Sequence, residues 1–134
     1  MKVLFASEKS VHLSNYCKAL KSYIDEIVLI TELEFDLPEA KKNYVINFRS
    51  LNPISVLQNI KRIEKIIQKE KPDIIHLHQI NRLAFFVAYA NRKSKAPIIT
   101  TAWGSDVLLV PQRNSIYKML STYVLKNSRF VTAD

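Results

Sequence analysis

Short apolar runs alternate with amphipathic helical stretches along the whole chain, and this alternation admits few folds. Residues 2–6 (KVLFA), 26–30 (EIVLI), 44–48 (YVINF), 73–77 (DIIHL) and 97–102 (PIITTA) are too short for helices. Their nearly unbroken apolar character fits strands buried on both faces. Between the first two, from Val11 to Ile24, the residues Leu13, Tyr16, Cys17, Leu20 and Ile24 recur at helical spacing. Asn52 and Pro53 suit the cap and first turn of a helix running to about Lys71, with Ile54, Leu57, Ile60, Ile63 and Ile67 as its apolar stripe. Further helices are predicted over 82–93 and 115–127, and RFVTAD starts a sixth strand.

Strands of this kind separated by helices predict an α/β fold: a doubly wound, Rossmann-like parallel sheet with helices on both faces. The 134 residues make one domain, 1–134, with no repeat, low-complexity tract or linker to divide it. A doubly wound domain would lead from its last strand into another helix, so the chain is expected to belong to a longer protein.

Gly104 is the only glycine, where average usage of about 7% would give about nine. A P-loop and a G-x-G-x-x-G dinucleotide fingerprint are thereby excluded. Cys17 is the only cysteine, which rules out an internal disulfide or a cysteine zinc site and suits a reducing compartment. No apolar run approaches the roughly 20 residues of a membrane span. The N-terminus is charged too soon for a signal peptide, and a cytoplasmic location is expected.

In open α/β sheets ligands bind beyond the carboxyl ends of the strands. The polar residues there are Ser7, Glu8, Lys9, Ser10 and His12; Arg49, Ser50 and Asn52; His78, Gln79 and Asn81; and Trp103, Gly104, Ser105 and Asp106. His76 and His78 share one side of a strand, but no third ligand lies at a recognisable spacing, so no metal site is expected. His76 reads as a hydrogen-bonded core residue, whereas His78, at the strand end, fits either a core or a ligand-binding role. In TTAWGSD, Ser105 or Asp106 is expected to cap the next helix; alternatively Gly104 admits a ligand close to the backbone, with Trp103 as a wall for a sugar ring. His12 near a helix N-terminus is either a polar surface group or a site imidazole, in a place that favours anions. Lys9 and Arg49 are candidate phosphate or acceptor contacts.

MKVLFAS followed by a helix bearing His12, then KPDIIHLH, PIITTAWGSD and SRFVTAD, together resemble in order and spacing the N-terminal domain of family-4 glycosyltransferases. The resemblance covers most of the chain. It implies half of a GT-B fold, serving as the acceptor-binding domain of a retaining glycosyltransferase. That enzyme would move a sugar from a nucleotide-sugar donor to a glycan or lipid-linked acceptor in cell-surface polysaccharide synthesis, without metal or other cofactor. It also implies a C-terminal domain that binds the donor and carries a spaced pair of glutamates, to which nothing here corresponds; the chain alone is expected to be inactive. His12 matches a histidine after the first strand in some members, His78 the second histidine of the family's H-x-H, and Gly104 to Asp106 its G-S-D. Trp103 departs from the histidine that many members carry before that glycine. SEKSVHLS departs from the paired glycines many carry after the first strand.

The 20 Lys and Arg against 12 Asp and Glu leave a net charge of +8. With a lipid-linked acceptor, this fits peripheral contact with an anionic membrane. The cations at Lys61, Arg62, Lys65 and Lys69 are interleaved with glutamates, however, as on any solvated helix face. Two alternatives remain. One is a basic, non-catalytic nucleic-acid-binding module, which lacks any reader motif, so no nucleic acid is expected. The other is half of a GT-B-fold sugar-nucleotide epimerase. A phospho-acceptor receiver domain is set aside because strand three ends in Phe48-Arg49, where an aspartate would be needed.

Overall fold

Each apolar run enters a single sheet. In the computed structural model, which describes residues 1–48, 50 and 52–133, the strands are β1 (Lys2–Ala6), β2 (Glu26–Thr31), β3 (Lys42–Val45), β4 (Ile74–His78), β5 (Ile98–Ala102) and β6 (Phe130–Ala133). The helices are α1 (Val11–Leu20), α2 (Pro53–Glu70), α3 (Arg82–Ala90), α4 (Ser105–Leu108), α5 (Val110–Arg113) and α6 (Ser115–Asn127). All neighbouring strands pair in parallel, in the order β3-β2-β1-β4-β5-β6. The chain winds outward from β1 in one direction and from β4 in the other, which is the Rossmann-like arrangement the alternation predicts.

Two apolar layers hold the helices. On one face Ile63 and Ile67 of α2, Leu83 and Val87 of α3 and Val124 of α6 pack against Leu4, Val28, Ile75 and Leu77 of the sheet. On the other, Leu13 and Cys17 of α1 pack against Val3, Phe5, Ile27 and Leu29. Alternate residues of β1, β2 and β4 thus serve opposite faces, and both faces need to be apolar. Short polar side chains start the long helices: Ser10, Asn52, Asn81 and Asn114 each accept a backbone N–H from three residues on.

Several boundaries differ from the sequence reading. Helix α1 ends at Leu20, not Ile24: the next residues form a turn, with Tyr23 N–H donating to Leu20 O, and Ile24 still reaches the core. β3 starts two residues earlier than predicted and ends three earlier. Its ladder pairs Val28–Thr31 with Lys42–Val45 and is followed by Ile46 N–H donating to Thr31 O, where β2 itself ends. Ile46 and Phe48 then leave the ladder but remain fully buried, so their apolar character reports the core and not the strand. Helix α3 ends at Ala90, three residues short of its predicted end, and the helical stretch expected after Gly104 is divided into the short α4 and α5 on either side of Leu109.

At the amino-terminal end of the strands, the carboxylate of Glu70 is buried yet charged. It accepts hydrogen bonds from Lys42 Nζ (2.8 and 3.1 Å), Tyr44 Oη (2.5 Å) and Lys2 Nζ (3.3 Å). Burial opposes the charge, but these donors outweigh it and hold the carboxyl at about 2.

Candidate functional site

The site lies beyond the carboxyl ends of the strands, where the chain reverses its winding between β1 and β4. Ser7, just past β1, donates its hydroxyl to Glu8 O and to His78 O, which ties the two strand ends together. Gln79, just past β4, adopts φ of 106°, a strained backbone for a residue with a side chain. Its N–H is held by Thr101 O at 3.0 Å.

Asp106 organises the loop after β5. One carboxylate oxygen accepts Ile80 N–H at 2.7 Å and the other accepts Trp103 N–H at 2.9 Å. This buried carboxylate therefore clasps the β4 and β5 loops instead of capping α4 by itself, and Ser105 is the exposed first residue of that helix. Gly104 precedes α4 with φ 76° and ψ −62°, and Ser105 N–H donates back to Trp103 O at 2.9 Å. That geometry is a γ-turn of the kind that disfavours side chains. The requirement for glycine is thus one of backbone conformation, since a Cβ at this position would meet nothing within 4 Å.

Two groups of side chains share this loop. The first is aromatic. Trp103 meets the edge of His12 at 4.8 Å between ring centroids and that of His78 at 5.3 Å. Tyr16 continues the cluster to His78 and His76, both at 5.2 Å. His12 is exposed in the first turn of α1, whereas His78 is buried. His76 is a core residue as expected: it stacks on Phe5 and its Nε2 lies 2.8 Å from Thr101 Oγ1. Burial, then the neighbouring His78, push its pKa down to about 4.

The second group lines a cavity of about 500 Å³ between the loops after β1, β4 and β5 and the start of α6. Ser105 and Asp106 contribute to it, together with Glu8, Asn81, Arg82 and Arg113. Arg82 is paired with Glu32 at 2.9 Å, while Asn81 caps α3 and donates to Glu8 at 3.3 Å. Arg113 has no acidic partner among the described residues. Ile80, Val110, Ile116 and Leu120 form apolar wall. The cavity therefore offers hydrogen-bonding groups, one unpaired cation and an apolar side.

The family described as glycosyl transferase 4-like matches residues 2–134. The chain belongs to this family. Among solved structures, this glycosyl transferase 4-like domain is similar to the UDP-GlcNAc 2-epimerase from Methanocaldococcus jannaschii, with a TM-score of 0.77 and 22% identity over 99% of this chain and 39% of that one. It is also similar to a putative UDP-N-acetylglucosamine 2-epimerase from Listeria monocytogenes (TM-score 0.71, 11% identity, 98% of this chain and 39% of that one). A glycosyltransferase from Rickettsia africae ESF-5 gives a TM-score of 0.59 at 22% identity, over 75% of this chain and 29% of that one. At these identities the likeness is one of fold, and the domain spans 29% to 39% of the lengths of these three structures. No curated protein matches it.

Within the glycosyl transferase 4-like domain, the sequence-derived candidates are thus divided. His12, His78 and Trp103 form the aromatic cluster, Ser105 and Asp106 line the cavity, and Gly104 joins the two. Lys9 stands apart from the cavity lining, with its ammonium 5.8 Å from the ring centroid of Phe35. Arg49 lies outside the described residues. Arg82, Arg113 and Glu32 were not among the candidates, because they become neighbours only when α3, α5 and the β2 loop meet over the sheet. Among the described residues no group of three or more His, Cys, Asp or Glu side chains could hold a metal ion. No described helix is long and apolar enough to cross a membrane.

Proposed function

We propose that this domain is the acceptor-binding half of a retaining glycosyltransferase, working with a second domain that binds a nucleotide-sugar donor. The observation that carries this reading is the cavity at the carboxyl edge of the sheet, in a domain matched by the family over residues 2–134. Its residues suit a glycan or lipid-linked acceptor. Asn81, Asn114 and Glu8 can meet sugar hydroxyls, the unpaired Arg113 can meet a phosphate, and Ile116 and Leu120 can meet an apolar tail. Trp103, flanked by His12 and His78, supplies a flat surface for a sugar ring beside the same loop. The loop after β1 lacks the glycines that would let bare backbone approach a diphosphate closely, which supports a donor site mainly on the second domain. The chemistry belongs to cell-surface polysaccharide synthesis on the cytoplasmic side and proceeds without metal. In this division of labour the domain orients the acceptor hydroxyl and does not turn over alone.

A second reading, half of a sugar-nucleotide epimerase, is favoured by the higher TM-scores to UDP-GlcNAc 2-epimerases. The two separate in one assay of this domain together with its proposed donor-binding domain. UDP-GlcNAc, UDP-glucose and GDP-mannose are each supplied with and without a prenyl-pyrophosphoryl sugar. The transferase reading expects product only when the acceptor is present, unaffected by EDTA. Inversion of the donor sugar at C2 without any acceptor would replace it with the epimerase.

A further inference from the structure

Among the described residues that carry a side chain at positive φ, Lys71 at 46° and Lys95 at 55° adopt the ordinary left-handed conformation in the connections leading into β4 and β5, whereas Gln79 reaches 106° inside the candidate site. Three consecutive residues are clamped there. His78 O accepts the Ser7 hydroxyl at 3.3 Å, Gln79 N–H donates to Thr101 O at 3.0 Å, and Ile80 N–H donates to Asp106 at 2.7 Å. Backbone clamps of this kind would hold a glycine equally well, without the penalty that a Cβ adds. The chain does use glycine in the neighbouring loop, at Gly104 with φ 76°. A side chain at position 79 is thus kept against a conformational penalty, and such penalties collect where a side chain has a task.

Gln79 is half-buried and lines the cavity of about 500 Å³. Two other carboxamides line it. Asn81 accepts Ala84 N–H and donates to Glu8, and Asn114 accepts Tyr117 N–H, so both commit their carbonyl oxygens to capping helices. The carboxamide of Gln79 makes no hydrogen bond to any described residue. It presents a donor and an acceptor side by side. A sugar hydroxyl or acetamido group can use both, whereas a phosphate, which only accepts, uses half.

We propose that Gln79 is a specificity-determining residue of the cavity, whose carboxamide recognises a hydroxyl or acetamido group on the sugar of the acceptor. The inference rests on the acceptor reading and names the residue that reads the sugar within it. The clamped backbone fixes the direction in which the side chain leaves the loop, so less ordering is needed when the sugar arrives. Phosphate and sugar are then met by different residues, Arg113 and Gln79. A glycine at position 79 would relax the loop and leave the sugar unread.

The test compares Gln79→Gly and Gln79→Ala with the parent in two measurements on the 134-residue chain. In thermal melts the glycine variant is expected to gain about 2–5 °C, because the penalty of the positive φ is removed. The alanine variant keeps a Cβ and is expected to gain nothing. In calorimetric titrations the parent is expected to bind a short-chain prenyl-pyrophosphoryl N-acetylglucosamine at least about tenfold more tightly than the same prenyl pyrophosphate without a sugar, and both variants should lose about tenfold of that preference. The glucosyl counterpart tells the two sugar groups apart: preference lost with both sugars assigns a ring hydroxyl, and preference lost with N-acetylglucosamine alone assigns the acetamido group. Preference kept in both variants, or affinity lost equally for the sugar-bearing and bare ligands, would overturn the proposal. So would a glycine variant no more stable than the parent. A parent that binds the two ligands equally well would remove this inference and leave the acceptor site standing. Binding of neither ligand by the parent would remove the acceptor reading itself, and this inference with it.

Discussion

Asp106 accepts the backbone N–H of Ile80 at 2.7 Å, which locks the loop after β5 onto the loop after β4. Its other oxygen holds Trp103, so one side chain fixes both the cavity wall and the aromatic cluster. Asp106→Asn offers one acceptor where two are used and turns an amide NH2 toward a backbone N–H. A loss of about 1–3 kcal/mol is expected in urea unfolding, with weakened acceptor binding in the folded protein. Unchanged stability and unchanged binding would show that the clasp is dispensable.

At Gly104 the penalty for a side chain comes from φ 76° and ψ −62°, not from crowding. Gly104→Ala should cost about 1–3 kcal/mol. Gly104→Asn should be no better, because this γ-turn is not the left-handed helical region that asparagine tolerates. Thermal melts of the two variants side by side decide the matter; recovery in the asparagine variant alone would contradict it.

Glu70 makes the domain sensitive to acid. Its folded pKa of about 2 lies below the ordinary 4.5, so its contribution is complete above about pH 5 and is lost as pH falls toward 2. Glu70→Gln should remove about 2 kcal/mol at pH 7, allowing for the partial exposure of Lys42. The gap between variant and parent should close as the pH approaches 2. A gap of constant size across that range would show that charge is not what Glu70 supplies.

His76 acts in a higher window. Its pKa falls from 6.5 to about 4, so between these values the unfolded chain takes up a proton that the folded core refuses. Stability should therefore decrease as pH drops from 6.5 to 5, where Glu70 remains charged, and the total effect by pH 4 is about 3 kcal/mol. His76→Gln, which keeps an amide beside Thr101, should flatten that slope. Equal slopes in the two proteins would assign it to another group.

The strands that carry both core faces were legible because Val3–Ala6 and Ile27–Ile30 are apolar at successive positions and β4 is interrupted before its last residue only by the buried His76, as a parallel sheet covered on both sides requires. The edge strand was not placed correctly, since Ile46 and Phe48 are as buried as strand residues without lying in the ladder. Asp106 drew attention by its place after the glycine. Its partner Ile80, 26 residues earlier, became visible only once β4 and β5 were neighbours. The contact between His12 and Trp103 arises in the same way, from α1 and the β5 loop meeting above the sheet. The pairing of Arg82 with Glu32, 50 residues apart, left no local signal at all.

The most direct measurement is a nitrogen-proton NMR titration of the 134-residue chain with a short-chain prenyl-pyrophosphoryl N-acetylhexosamine, and separately with UDP. With the prenyl-linked sugar, the amide signals of Asn81, Ser105, Arg113 and Tyr117 around the cavity, and the indole signal of Trp103, are expected to shift in a saturable way. UDP is expected to leave them in place. Shifts of these signals by UDP alone, or none with the prenyl-linked sugar, would contradict an acceptor site.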